Sequence, residues 1–184
     1  ATPAEATMLT TLAAAAEAAA LEAVTGQPVQ IKWVNDVWLR GRKISGILTE
    51  GSASLEEGKL QYVIVGIGIN FPEEIKEVAG ALLPHDISRE NMRNRIASEL
   101  LIRFMQFYRE FPRKVYLEEY RKRCFVIGKQ VRIITPDGAP VPLRDGKNRS
   151  DALVLGVDED CHLQVRYEDG TEEFLSNGEI SIRM

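Results

Sequence analysis

The sequence is poor in the residues that build metal and thiol chemistry. It holds two cysteines, Cys124 and Cys161, and two histidines, His85 and His162, in 184 residues. These four have no metal-ligand spacing, and the histidines fall in a loop and a strand of unrelated regions, which excludes a zinc site or a catalytic triad built on them. Two thiols without a framework fit a reducing compartment, where they serve as small hydrophobic side chains. A basic excess is missing too. The 23 Lys and Arg against 27 Asp and Glu leave a formal net charge of −4, which argues against sequence-independent binding of nucleic acid. Long apolar runs are also absent. The least polar stretch, residues 8–24, is mostly alanine, is broken by Glu17 and Glu22, and lacks the basic leader of a signal peptide. The expectation is a soluble, cytoplasmic protein. The chain does not open on Met and is read as a stretch of a longer gene product.

What is present is ordinary globular composition, 45% hydrophobic and 27% charged, enough to build a core without metal or disulfide staples. Residues 3–25 predict a helix, because Leu9, Leu12, Ala13, Ala16, Ala20 and Val24 recur at spacings of three and four. Gly26 and Pro28 end it. Residues 29–33 alternate as a strand, and 36–39 with 43–50 predict a hairpin around Arg40-Gly41-Arg42. A polar loop over 51–59 precedes a β run over 60–70, whose Val63-Ile64-Val65 predicts burial on both faces. Beyond Phe71-Pro72 and a mixed segment, Ser88 caps a helix over 89–111 with the stripe Ile96, Leu100, Leu101, Phe104, Phe107 and Tyr108. Pro112 interrupts it, and a short helix spans 115–124. From Val126 the period changes to two. Strands over 131–134, 152–157, 162–167 and 172–175, with turns at Asp137-Gly138 and Asp169-Gly170, predict a small barrel. The reading is an α+β domain over 1–125 and a barrel over 126–184.

Three segments could carry chemistry. Lys32-Trp33-Val34-Asn35-Asp36 ends a strand in an Asn-Asp corner, which alone is a common turn. Gly41-Arg42-Lys43-Ile44-Ser45-Gly46-Ile47-Leu48 opens a β run with adjacent cations, which alone reads as a solvated hairpin end. Val65-Gly66-Ile67-Gly68-Ile69-Asn70 sets two glycines in the most β-prone run. Such glycines mark either a ligand close to the backbone or packing against a neighbouring helix.

In this order and at these spacings, the three segments resemble the biotin–protein ligase family. Its motifs are Lys-Trp-Pro-Asn-Asp, then Lys-(Leu/Ile)-x-Gly-Ile-Leu-x-Glu, then Gly-x-Gly-x-Asn. Here they stand at Lys32 to Asp36, Lys43 to Glu50 and Gly66 to Asn70, with Val34 where the family has Pro. The tail Asn177-Gly178-Glu179-Ile180-Ser181-Ile182-Arg183 is similar to the family's closing strand. The resemblance covers the second half of the catalytic domain and the C-terminal domain. It implies a mixed sheet packed against helices, of the class II synthetase-like kind, followed by a small SH3-like barrel.

The resemblance also implies a two-step reaction. Biotin and ATP form biotinyl-adenylate, and biotin then passes to a lysine of a biotin carboxyl carrier domain. Lys43 matches the lysine that bridges the biotin carboxylate and the α-phosphate, acting as a compact ammonium on developing charge. Arg42 beside it reads as a solvated neighbour. Leu48, Gly66 and Ile69 match the biotin floor, and Asn35, Asp36, Asn70 and Arg183 match positions facing the nucleotide. Asp36 is also the candidate Mg²⁺ ligand. The family's Gly-Arg-Gly-Arg-x-Gly-Arg loop, its first strands and its DNA-binding domain have no counterpart here. The expectation is therefore slow or no adenylation by these 184 residues alone, and self-association through an unpaired sheet edge. The alternatives are an inactive fragment that binds biotin or a carrier, and a lipoate-type ligase.

Overall fold

Alanine gives a helix strong propensity and a thin waist, so other elements can close on it from every side. The structure is a computed structural model that describes residues 3–53, 60–70, 89–134, 141–142, 148–176 and 179–182. In it α1 (Pro3–Thr25) is buried all round from Leu12 to Leu21. The one-sided stripe expected from its leucines is thus too narrow a description, since a helix apolar on all faces becomes a core helix. Its Thr7–Thr25 window has the length and hydropathy of a membrane span, and 72% of that window is buried inside the protein. Gly26 (φ +67) closes the helix by donating its N–H to the Glu22 carbonyl at 2.8 Å, a left-handed cap that only glycine adopts without cost.

The chain forms two compact units, Ala1–Arg123 and Cys124–Met184. In the first, α1 packs on α2 (Arg89–Arg109), α3 (Tyr116–Arg123) and a sheet of four strands. These are β1 (Gln30–Lys32), β2 (Asp36–Leu39), β3 (Arg42–Ala53) and β4 (Leu60–Ile69), in the order β1-β2-β3-β4. The expected mixed sheet is antiparallel throughout these strands, because strands joined by short turns pair with their sequence neighbours. Arg40 (φ +50) and Gly41 (φ +76) form the two-residue turn between β2 and β3, the geometry that matches strand twist. β3 runs to Ala53, past the expected end at Glu50, because Gly51 and Ser52 still pair with Val63 and Tyr62.

Burial in β4 corrects a second expectation. Val63, Val65, Ile67 and Ile69 are half-buried, whereas Tyr62 and Ile64 are each 57% exposed. The sheet therefore has one face on α1 and one open face. Likewise α2 buries Met92 and Ile96, while Leu101 and Tyr108 of the expected stripe are exposed. That helix ends at Arg109, and Phe111–Arg113 forms a 3-10 turn around Pro112. Ser88, the expected cap, and His85 lie outside the described residues.

Arg123 ties the end of α1 to α3. Its guanidinium donates to Glu22 Oε2 from Nη2 (2.7 Å) and Nε (3.1 Å), and it also binds the Glu119 carboxylate. With its side chain 10% exposed, loss of the guanidinium strands two carboxylates against each other. Arg123→Met is expected to lower unfolding free energy by about 2 kcal/mol, less than a fully buried pair because both glutamates keep some solvent. Urea denaturation checks this, and a loss below about 0.5 kcal/mol would show the cluster to be ornamental.

The second unit has β5 (Gln130–Ile134), β6 (Val141–Pro142), β7 (Asn148–Arg149), β8 (Asp151–Val157), β9 (Leu163–Tyr167), β10 (Glu172–Leu175) and β11 (Glu179–Ile182). Five of them form an antiparallel sheet in the order β10-β9-β8-β5-β11, and β6 pairs with β7. Val131, Ile133, Val154, Leu163 and Val165 are its inward residues. Cys161 is buried beside His162, whose Nδ1 lies 2.9 Å from Asp158 Oδ2 in the turn between β8 and β9. Gly170 (φ +83) makes the turn expected at Asp169-Gly170, and Asp137-Gly138 lies outside the described residues.

Candidate active site

The site begins at the corner between β1 and β2. Tyr120 donates its hydroxyl to the Val34 carbonyl at 3.1 Å, and the Trp33–Val34 peptide is cis. Asn35 clamps the corner onto β3: its Nδ2 donates to the Ile47 carbonyl (2.8 Å), and its own carbonyl accepts from the Ile47 N–H (3.0 Å). Of the two polar residues here, Asn35 therefore has a structural task. Asp36 carries the charge.

Strand register explains how Lys43 reaches Asp36. Ser45, Ile47 and Thr49 alternate on the α1 side, where Thr10 donates its hydroxyl to Thr49 Oγ1 at 2.8 Å. Simple alternation would put Lys43 there too. It does not, because Val37 pairs with Ser45 while Trp38 pairs with Lys43, leaving Ile44 as an extra residue in β3. This bulge switches the alternation. Lys43 Nζ then stands 2.6 Å from Asp36 Oδ1, with its side chain 46% exposed. The Asn70 N–H donates to the Ile44 carbonyl at 2.8 Å and so ties the end of β4 to the bulge.

The open face beside this pair is floored by glycine. Gly46 pairs with Gly68, and Leu48, 63% exposed, pairs with Gly66. A Cβ at Gly66 would meet the Leu48 carbonyl oxygen at 3.6 Å, and one at Gly68 the Gly46 carbonyl oxygen at 3.9 Å. Both are ordinary contacts, so packing against a helix does not explain these glycines. What they do is leave room above the sheet. Gly46 has a second role, since a Cβ there would stand 3.4 Å from Lys43 Cε and Nζ.

The structure thus brings Lys43, Asp36, Gly66 and Leu48 to one face, with Asn70 joined to its edge. It separates Ile69 from them. Ile69 pairs with Ser45 and lies on the α1 side, because neighbours in a strand alternate and Ile69 differs in parity from Gly66. It therefore stands on the opposite face of the sheet from Gly66 and Leu48. Arg183 lies outside the described residues, and Arg42 is exposed at the hairpin end. Three further residues of the face lie inside the motif segments but were not among the matched site residues. Lys32 pairs with Asp36 and sets its Nζ 6.0 Å from the Trp38 ring centroid, a cation–π distance. Gly46 and Gly68 are the others. The signal for all three was register, which requires knowing where the bulge falls.

Comparison with known proteins bears directly on this face. Residues 1–70, which contain the corner, the bulge and the glycine strand, match the Biotin/lipoate A/B protein ligase family. The bifunctional ligase/repressor BirA of Bacillus spizizenii is 34% identical over 182 residues, covering 91% of this chain and 51% of that protein. The chain is similar to ligases of this family. A biotin–[acetyl-CoA-carboxylase] ligase of Mycobacterium tuberculosis is 36% identical over 130 residues, 67% of this chain and 45% of that ligase. Among solved ligases, the biotin protein ligase of Aquifex aeolicus in complex with biotin and ATP superimposes with a TM-score of 0.67 at 25% identity, over 96% of this chain and 71% of that one. The chain spans about half the length of the curated relatives it matches.

Proposed function

We propose that the protein containing this chain activates biotin with ATP to biotinyl-adenylate and transfers it to a lysine of a biotin carboxyl carrier domain, such as that of acetyl-CoA carboxylase. The observation that carries this is the bulge that turns Lys43 onto a glycine-floored face. An apolar bicyclic ring needs a flat, partly apolar floor, which Gly66, Gly68 and Leu48 supply. Its carboxylate needs a cation where it meets the α-phosphate, which Lys43 supplies, with Lys32 a second cation on the same face. Asp36 holds the Lys43 ammonium in place, and Asn70 has an amide able to read an adenine edge. Arg183 completes the proposed nucleotide contacts. A relative named a biotin–[acetyl-CoA-carboxylase] ligase and a solved ligase holding biotin and ATP favour biotin over lipoate.

The residues fit Mg²⁺ only as a companion of the triphosphate. Among the described residues no group of three His, Cys, Asp or Glu could hold a metal. Mg²⁺ keeps several waters and takes one or two carboxylates beside phosphate oxygens, and Asp36 would be such a carboxylate. When bound, the ion would neutralise phosphate charge. For Cys124–Met184 we propose a small SH3-like barrel, supported by its five antiparallel strands and its extra β6–β7 pair. A cytoplasmic location and pairing of copies through the edge of β4 belong to the same proposal. Sedimentation that stays monomeric across micromolar concentrations would remove the pairing.

Gly66 offers the simplest test of the floor. A Cβ there makes only an ordinary contact with the Leu48 carbonyl oxygen at 3.6 Å and the face above it is open, so Gly66→Val should fold normally. In the protein at the length of its relatives it should weaken biotin binding by about 10- to 100-fold, the cost of a few atoms forced into a packed site. Calorimetric titration with biotin measures this. Unchanged affinity would take biotin off this face.

A further inference from the structure

Lys43 stands on the open face only because β3 carries an extra residue, and a bulge needs something to hold it. Above the sheet Asp36 and Asn70 do so. Beneath it, α1 crosses β3 with a largely apolar surface on which Glu17 is the one fully buried carboxyl among the described residues. The Ser45 hydroxyl, next in sequence to the bulged Ile44, is buried beside it. Neither carboxyl oxygen of Glu17 nor Ser45 Oγ has a hydrogen-bond partner of full geometry among the described residues. The hydroxyl nevertheless draws the carboxyl pKa down, against the larger upward push of burial, which leaves it at about 8. A neutral carboxyl has an O–H and a carbonyl, so it and a serine hydroxyl can each offer the other a donor and an acceptor after small rotations. A carboxylate cannot do this and would be stranded.

No charge among the described residues compensates Glu17. Lys43 is held by Asp36 on the far face, and Glu22 and Arg123 hold each other beyond the next turn of α1. The described side chains that α2, α3, β1 and β2 bury in this unit are uncharged.

We propose that Glu17 and Ser45 form a buried polar latch beneath the bulge, which makes Glu17 a positioning residue that keeps Lys43 on the open face. The inference rests on the functional reading of that face. An anion under β3 would draw Lys43 toward α1 by letting the strand regain simple alternation. A neutral carboxyl bonded to Ser45 exerts no such pull and anchors the residue that follows the bulge.

Amide hydrogen exchange on the ligand-free chain tests this. The Asn70 N–H reports the bulge through its bond to the Ile44 carbonyl, and the amides of the regular β3–β4 ladder report the sheet. Glu17→Met keeps the volume and removes the polar group. It should speed exchange at Asn70 about tenfold relative to the ladder, the loss of one hydrogen bond's worth of local stability. Ser45→Ala should do the same, and Glu17→Gln, which mimics the neutral acid, should stay within about threefold of the parent. Equal acceleration at Asn70 and in the ladder, no acceleration, or a Gln variant that behaves like Met would overturn the latch. The readout needs neither biotin nor ATP. Failure of the latch therefore leaves the functional reading standing, and absence of adenylation leaves the latch standing.

Discussion

Lys43→Ala is expected to slow biotin adenylation by about 10²–10³-fold in the protein at the length of its relatives, the usual cost of removing one preorganised donor from developing charge. The carboxylate of biotin must approach the α-phosphate of ATP, two anions that repel until a cation stands between them. In the proposed function Lys43 is that cation, and the bulge puts its Nζ 2.6 Å from Asp36 and over the glycine floor. ATP affinity should change far less, since the contact is strongest when both anions are in place. Lys43→Arg should recover little, because a planar fork does not fill the position of a compact ammonium. Preformed biotinyl-adenylate should restore part of the transfer to the carrier. Arg42→Ala is the control and should be nearly silent. If Arg42→Ala abolishes adenylation while Lys43→Ala leaves it intact, the assignment within this pair is reversed.

Stability of the chain should decline as pH rises from about 4.5 to about 8 and then level off. The cause is Glu17, whose carboxyl burial pushes up from 4.5 to about 8. Between those values the unfolded chain releases the proton and the folded chain keeps it, so rising pH favours unfolding. The advantage of the folded state is therefore full below the ordinary carboxyl value and gone above about 8. The accumulated loss is several kcal/mol at most, since one pKa unit corresponds to about 1.4 kcal/mol. Glu119 and Glu172 act in the opposite direction. Hydrogen bonds from Arg123 and Arg166 hold their carboxyls below the usual range, so their contribution is present at neutral pH and fades in acid. The maximum should lie at mildly acidic pH. Glu17→Gln should remove the decline on the alkaline side, as measured by urea midpoints across the range. Identical curves for the two proteins would mean that Glu17 is not the group responsible.

The sequence made much of the scaffold legible, and the reason is local. Gly26 and Pro28 stop α1, and Arg40-Gly41 turns β2 into β3, because backbone conformation at these points depends on one or two residues. Whatever depended on which side of a sheet faced the core was less legible. Val63-Ile64-Val65 looked buried on both faces, yet Ile64 is exposed, since α1 covers only one face of the sheet. Ile69 was grouped with Gly66 by motif and separated from it by parity. Asn35 was read as a turn former or a nucleotide contact and turns out to clamp its corner to Ile47. Glu17 was read only as a break in an apolar run. It is buried because the alanines around it admit neighbours on every side.

The central claim is that this face binds biotin and brings it to ATP, and exchange of labelled pyrophosphate into ATP measures that most directly. The assay uses the protein at the length of its relatives, with biotin, lipoate or no acid added. The account predicts exchange that depends on biotin, is near background with lipoate, and falls about 10²–10³-fold in the Lys43→Ala variant. Exchange driven by lipoate, or biotin-driven exchange that Lys43→Ala leaves unchanged, would contradict it.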